Sequence, residues 1–303
     1  MHLFLVRHGE TEHNIAGLLA GVSDSRLTNH GVAQTQRLGR YLTTHRNLRF
    51  TRIYASDLQR AYMTAEELQR HQAAKSIGEQ RVPEVVKLEL LREQDFGSLE
   101  LAPWTSRRAQ HAFDPHVPNQ EDPSFRPQET AESMQSRADS FLADFILPLL
   151  ATYPDDAQDT VQECVAVVSH GLFLSVLWQS LLSKFNAHRV TLGPNVEILR
   201  YGRPLEYLPA WNNTAFLELT IHRVPTKSTT SRKIEPAVGN QRILLPLSGH
   251  SMTVHVINGK DHLLDLKRAP GGLGSSPYDA RQKSLDGFFK GPKCGGPGSK
   301  GIP

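Results

Sequence analysis

Cysteine is nearly missing from this chain: 303 residues hold two, Cys164 and Cys294. One precedes an apolar run and the other lies among glycines, so no structural disulfide is expected and a reducing compartment is favoured. No apolar run reaches the length of a membrane span. The first residues carry neither the basic flank nor the apolar core of a secretory leader. The expectation is a cytoplasmic protein, with the nucleus also open. One-sided charge is lacking too: 34 Lys and Arg face 31 Asp and Glu, a net +3 that argues for no direct nucleic-acid partner. The 14 histidines are scattered, without a His-Glu-x-x-His array or a Cys–His cluster of ligand spacing, so no metal and no other cofactor is expected. A kinase-type phosphate loop is also missing, which excludes a bifunctional sugar kinase/phosphatase.

What is present begins at residue 3. Leu3-Phe4-Leu5-Val6 makes a short buried strand that ends on Arg7, His8 and Gly9. In an open α/β sheet the carboxyl ends of strands face the binding crevice, so an Arg and a His there are placed to meet an anion. A second copy follows far downstream, where Val165 to Val168 runs into Ser169-His170-Gly171 and an apolar helix starts. Two such turns bring two imidazoles to one edge of one sheet.

Four segments in order carry a family resemblance. Arg7-His8-Gly9-Glu10-Thr11 with Asn14, Ser56-Asp57-Leu58-Gln59-Arg60-Ala61, Leu91-Arg92-Glu93-Gln94-Asp95-Phe96-Gly97 and Ser169-His170-Gly171 together resemble the histidine phosphatase superfamily, the phosphoglycerate-mutase-like proteins. The resemblance covers roughly residues 1 to 220. It implies a three-layer α/β/α fold with a mostly parallel central sheet. It also implies that His8 attacks phosphorus and carries a phosphohistidine, while Arg7 and Arg60 grip phosphoryl oxygens. His170, as imidazolium, would add charge, and Glu93, expected partly buried, would move the proton. Asn14 and Gly171 would bind substrate, and amides near Gly9 and Gly171 would help if they open helices. Metal-independent hydrolysis of a small phosphorylated metabolite is the expected reaction. A cofactor-dependent phosphoglycerate mutase is the alternative; Gln94 to Glu100 resembles the phosphatase branch rather than a mutase's basic, aromatic segment. One departure stands out. Phosphatases of this type often have Glu-Gly where this chain has Glu100-Leu101, and Leu disfavours positive φ, so the turn there is expected to differ.

The rest of the chain reads as follows. Thr28 caps a helix to about Arg46, Arg52 to Ala55 is a strand, and Leu58 to Arg70 is a helix holding Arg60. Val85 to Leu90 alternates as an edge strand that delivers Glu93. Prolines at 115, 118, 123 and 127 forbid regular structure over 113–128, an excursion that could bring Arg107, Arg108 or Arg126 to substrate. Ser133 is expected to cap a helix from Met134 to Leu150. Thr214 to Val224 and Ser251 to Asn258 read as hairpin partners around a flexible insertion at about 225–249. The catalytic domain is thus set at 1–266, and 267–303 reads as a largely disordered Gly/Pro-rich tail. Within the tail, Gln282, Leu285, Phe288 and Phe289 resemble a PIP-box, the peptide that docks on the replication sliding clamp (PCNA). A helical turn would set Leu285 and the two Phe on one side as an apolar plug. Sliding-clamp binding through that tail is the reading of another class. The alternative is that these side chains dock on the catalytic domain or pair subunits.

Overall fold

The computed structural model describes residues 1–75, 81–108, 122–151, 163–194, 196, 204–224 and 246–281. The insertion over 225–245 and the tail calls at Gln282, Leu285, Phe288 and Phe289 lie outside the described residues, as do the side chains of Arg107 and Arg108. Seven strands form one sheet: β1 (His2–Arg7), β2 (Arg52–Ser56), β3 (Val85–Leu88), β4 (Cys164–Ser169), β5 (Val190–Leu192), β6 (Phe216–Arg223) and β7 (His250–Gly259). Their order is β3-β2-β4-β1-β6-β7-β5. Only β6 runs antiparallel to its neighbours, so the sheet is mostly parallel, as expected.

Alternation along the central strands divides the core in two. Leu3, Leu5, Val165 and Val167 face one side, together with Phe141, Phe173, Leu177 and Trp178 of the helices α4 (Ala131–Phe141) and α6 (Gly171–Ser183). Phe4, Val6, Ala166 and Val168 face the other, against Leu38, Ala61, Ala65 and Leu68 of α2 (Asn29–Arg40) and α3 (Gln59–Lys75). Strands buried on both faces read as continuous apolar runs, which is why β1 and β4 were legible. Thr28 caps α2 as expected, its side chain accepting from the Gly31 amide. α1 (Glu12–Ala16) is one short turn closed by a Thr11–Asn14 capping box. Helix α4 is capped three residues earlier than expected. The Thr130 hydroxyl takes the Ser133 amide at 3.2 Å, whereas the Ser133 hydroxyl is committed to Glu129 at 2.8 Å. The hairpin of β6 and β7 is as expected.

The expected start of the tail at 267 does not hold as a boundary. Residues 261–281 lie against the first turn of α2. The Asn29 amide donates to the Ser276 carbonyl and the Tyr278 amide to the Leu27 carbonyl. Gly271 and Gly272, at φ of 67° and 78°, supply a turn that side-chain-bearing residues disfavour. The segment is held by polar contacts, so apolar periodicity could not reveal it. No helix among the described residues is long and apolar enough to cross a membrane.

Candidate active site

Adjacent strands β1 and β4 are paired with Arg7 opposite Ser169, and the His8 amide donates to the Ser169 carbonyl at 3.0 Å. The two histidines therefore emerge side by side, with ring centroids 5.1 Å apart. His8 Nδ1 lies 2.7 Å from the Gly9 carbonyl. A carbonyl only accepts, so the proton sits on Nδ1 and the Nε2 lone pair is left for chemistry. Burial and the guanidiniums of Arg60 and Arg7 hold the His8 pKa well below the usual imidazole value. His8 is thus a neutral imidazole at neutral pH.

Arg60 opens α3 and is 1% exposed. Its terminal nitrogens donate to the carbonyls of Ser23, Ala20 and Gly21 at 2.9, 3.0 and 2.7 Å. That loop is in turn shaped by Glu100, whose carboxylate accepts from the amides of Gly21, Val22, Ser23 and Phe96. Leu101 beside it adopts φ of 65°. The turn expected to change for want of glycine is therefore kept in the left-handed region despite a leucine. Burial lowers the Arg60 pKa to about 10, which leaves the guanidinium charged at pH 7, and Glu93, Asp24 and Glu100 oppose the shift.

The expectation of an imidazolium at His170 is corrected. Arg60 Nε donates to His170 Nδ1 at 3.2 Å, so Nδ1 is an acceptor and the proton lies on Nε2. Burial, then Arg60, His8 and Arg7, press its pKa well below the usual value. His170 is a neutral N–H donor. Its buried Nε2 and the buried Nε of Arg7 have no acceptor among the described residues. Two buried donors without acceptors, flanked by cations, suit an anion's oxygens. Arg7 is steadied by the Trp211 carbonyl at 2.5 Å, and a Cβ on Gly171 would lie 3.7 Å from Arg7 Nε. Gly171 thus packs under the guanidinium.

Glu93 is 9% exposed, as buried as expected. Its carboxylate accepts from the amides of Leu172 at 3.1 Å and Phe173 at 2.9 Å. The first turn of α6 is therefore directed at the carboxylate, and the Gly9 amide at Thr64 Oγ1, 3.0 Å away. These amides are taken by protein side chains, Glu93 and Thr64, rather than left for a ligand. Asn14 serves the capping box and also accepts from Asn213 Nδ2 at 3.0 Å, a residue that donates to the His8 carbonyl as well. Arg126 sits 3.6 Å from Asp95 with most of its side chain in solvent. A cavity of about 500 Å³ opens beside Glu93, lined also by Val22, Leu90, Arg92, Pro127 and Arg137.

The sequence did not single out Glu10. Its buried carboxylate accepts from Thr28 Oγ1 at 2.8 Å and from both terminal nitrogens of Arg268, at 2.8 and 2.5 Å. The partner lies 258 residues away, beyond any local signal. Nor did the sequence single out Thr64, which holds the Gly9 amide. Its side chain lies one turn after Arg60, a spacing that could have flagged it.

The sequence model of the Histidine phosphatase superfamily (branch 1) matches residues 3–213. A Schizosaccharomyces pombe protein named as a probable phosphatase is 30% identical over 285 residues, 94% of this chain and 78% of that one. A zebrafish (Danio rerio) fructose-2,6-bisphosphatase, TIGAR B, is 30% identical over 57% of this chain and 72% of its own. Among solved structures, a mycobacterial hydrolase superposes with a TM-score of 0.54 at 20% identity, over 86% of this chain and 99% of that one. A mycobacterial glucosyl-3-phosphoglycerate phosphatase in complex with inorganic phosphate gives 0.52 at 19% identity, over 86% and 98%. At that identity the structures speak for the fold alone. The relatives' names support the phosphatase expectation over the mutase one. The chain belongs to the histidine phosphatase superfamily, branch 1.

Proposed function

We propose that the protein is a phosphomonoesterase that hydrolyses a small phosphorylated metabolite through a phosphohistidine on His8. One observation carries the reading: a neutral imidazole lies beside a second neutral imidazole, and buried N–H groups of Arg7 and His170 have no acceptor among the described residues. In the first step His8 Nε2 bonds to phosphorus, the ester P–O bond breaks, and Glu93 gives its proton to the leaving oxygen. Water then attacks the phosphohistidine while Glu93 takes its proton, which releases phosphate and restores neutral His8. Arg7, Arg60 and the His170 Nε2–H face the charge on the equatorial oxygens. Asn14, which accepts from Asn213, and Gly171, beneath the Arg7 guanidinium, would contact substrate beside this set. No step calls for a metal.

The test is acid-labile labelling by a ³²P-phosphomonoester. Wild type should label and turn over, and His8→Ala should do neither. Turnover near the wild-type rate in that variant would sink the mechanism. We also propose, on the motif alone, that Gln282, Leu285, Phe288 and Phe289 bind a sliding clamp. Replacing both Phe with Ala should abolish pull-down of the clamp, and failure of the unmutated chain to bind would end the idea. With only two cysteines in the chain and Cys164 a buried free thiol, the cytoplasm or nucleus is the compartment we favour.

A further inference from the structure

We infer that Arg137, clamped by Glu129, is a positioning residue that sets Glu93 for proton transfer; the inference rests on the reading of Glu93 as general acid. Glu93 lies between two short helical turns, Glu89–Leu91 and Gly97–Leu99, outside any strand or α-helix. Its backbone is instead gathered by one guanidinium. Arg137, on the second turn of α4, donates to the carbonyls of Leu90 at 2.8 Å, Arg92 at 3.0 Å and Glu93 at 3.4 Å. Its other N–H groups form a two-point pair with Glu129, both bonds 2.8 Å.

Glu129 closes the same frame from the far side. Its amide donates to the Asp95 carbonyl at 2.7 Å, its carbonyl accepts from Gln94 Nε2 at 2.7 Å, and its carboxylate accepts from the Asp95 amide at 3.3 Å. The guanidinium also lies 4.6 Å over the ring of Phe173, whose amide holds the Glu93 carboxylate. One planar cation thus ties the main chain of Glu93 to the helix that grips its side chain. Lysine has three donors on a flexible stem and cannot replace the five-donor fork. A displacement of about 1 Å at a reacting group costs on the order of 100-fold in rate.

Leaving-group dependence separates positioning from general stability. The kcat/KM for phosphomonoesters reports steps up to departure of the leaving group. 4-Nitrophenolate leaves without a proton, whereas glycerol 2-phosphate requires one. The ratio of kcat/KM for glycerol 2-phosphate to that for 4-nitrophenyl phosphate is independent of the fraction of enzyme that is folded. In Arg137→Lys and in Glu129→Gln that ratio should fall by about tenfold or more, toward the ratio of Glu93→Gln. Ratios equal to wild type in both variants, with Glu93→Gln lowered, would overturn the positioning role alone. A wild-type ratio in Glu93→Gln would overturn the general-acid reading and the inference with it.

Discussion

Removing Arg268 should loosen the loop that carries His8, although the two residues lie 260 positions apart. In Arg268→Ala the Glu10 carboxylate loses two charged donors and keeps Thr28. Removing one partner of a fully buried ion pair costs about 3–5 kcal/mol, and an exposed pair about 0–1. Here the Glu10 side chain is 10% exposed and that of Arg268 37%, so the cost should fall between, at about 2 kcal/mol. For a domain of this size that lowers Tm by about 4–8 °C. Calorimetry reads the shift, and amide exchange locates it. The Tyr278 and Asn29 amides, which bond to Leu27 and Ser276 carbonyls across the junction, should exchange faster than those of β4. Glu10→Gln and the double variant complete a cycle whose coupling should exceed about 1 kcal/mol. A Tm within about 1 °C of wild type, with additive single effects, would refute the reasoning.

Other outcomes follow from the same contacts. Thr64→Val removes the acceptor for the buried Gly9 amide, so stability should fall by about 1–3 kcal/mol and kcat should fall with it; an unchanged kcat would deny the hydroxyl a role in holding the nucleophile loop. Burial lowers the His262 pKa to about 4, against about 6.5 when unfolded. Its stability contribution is therefore fully present above about pH 6.5 and is lost as pH falls toward 4, about 3 kcal/mol in all. Denaturant titrations from pH 7 to 4.5 should show that slope, and it should be shallower in His262→Asn.

The parts of the site legible in sequence are those where backbone geometry repeats in the chain. β1 and β4 are apolar runs closed by His-Gly, and the family resemblance carried by the four segments placed Arg60 and Glu93 with them. The charge on His170 was not legible, because it depends on guanidiniums from β1 and α3 that only the fold brings near. The true cap of α4 was missed because Thr130 carries a capping hydroxyl like that of Ser133, and Glu129 decides between them by occupying the Ser133 hydroxyl. The docking of 261–281 escaped notice for a different reason. It depends on Arg268, Asn29 and Ser276, isolated polar residues in a glycine-rich setting that resembles disorder by composition.

The pairing of β1 with β4 has a consequence for how much of this protein can vary. Neighbouring strands stand about 4.8 Å apart, a constant of the peptide ladder. The two imidazoles stand 5.1 Å apart because each is the first residue beyond a paired strand end. The spacing at the centre of the chemistry is therefore a property of main-chain hydrogen bonds, indifferent to which apolar side chains fill the layers on either side. Core residues can be exchanged for others of similar volume without altering that gap. A shift of one residue in the pairing, by contrast, would carry His8 to the opposite face of the sheet.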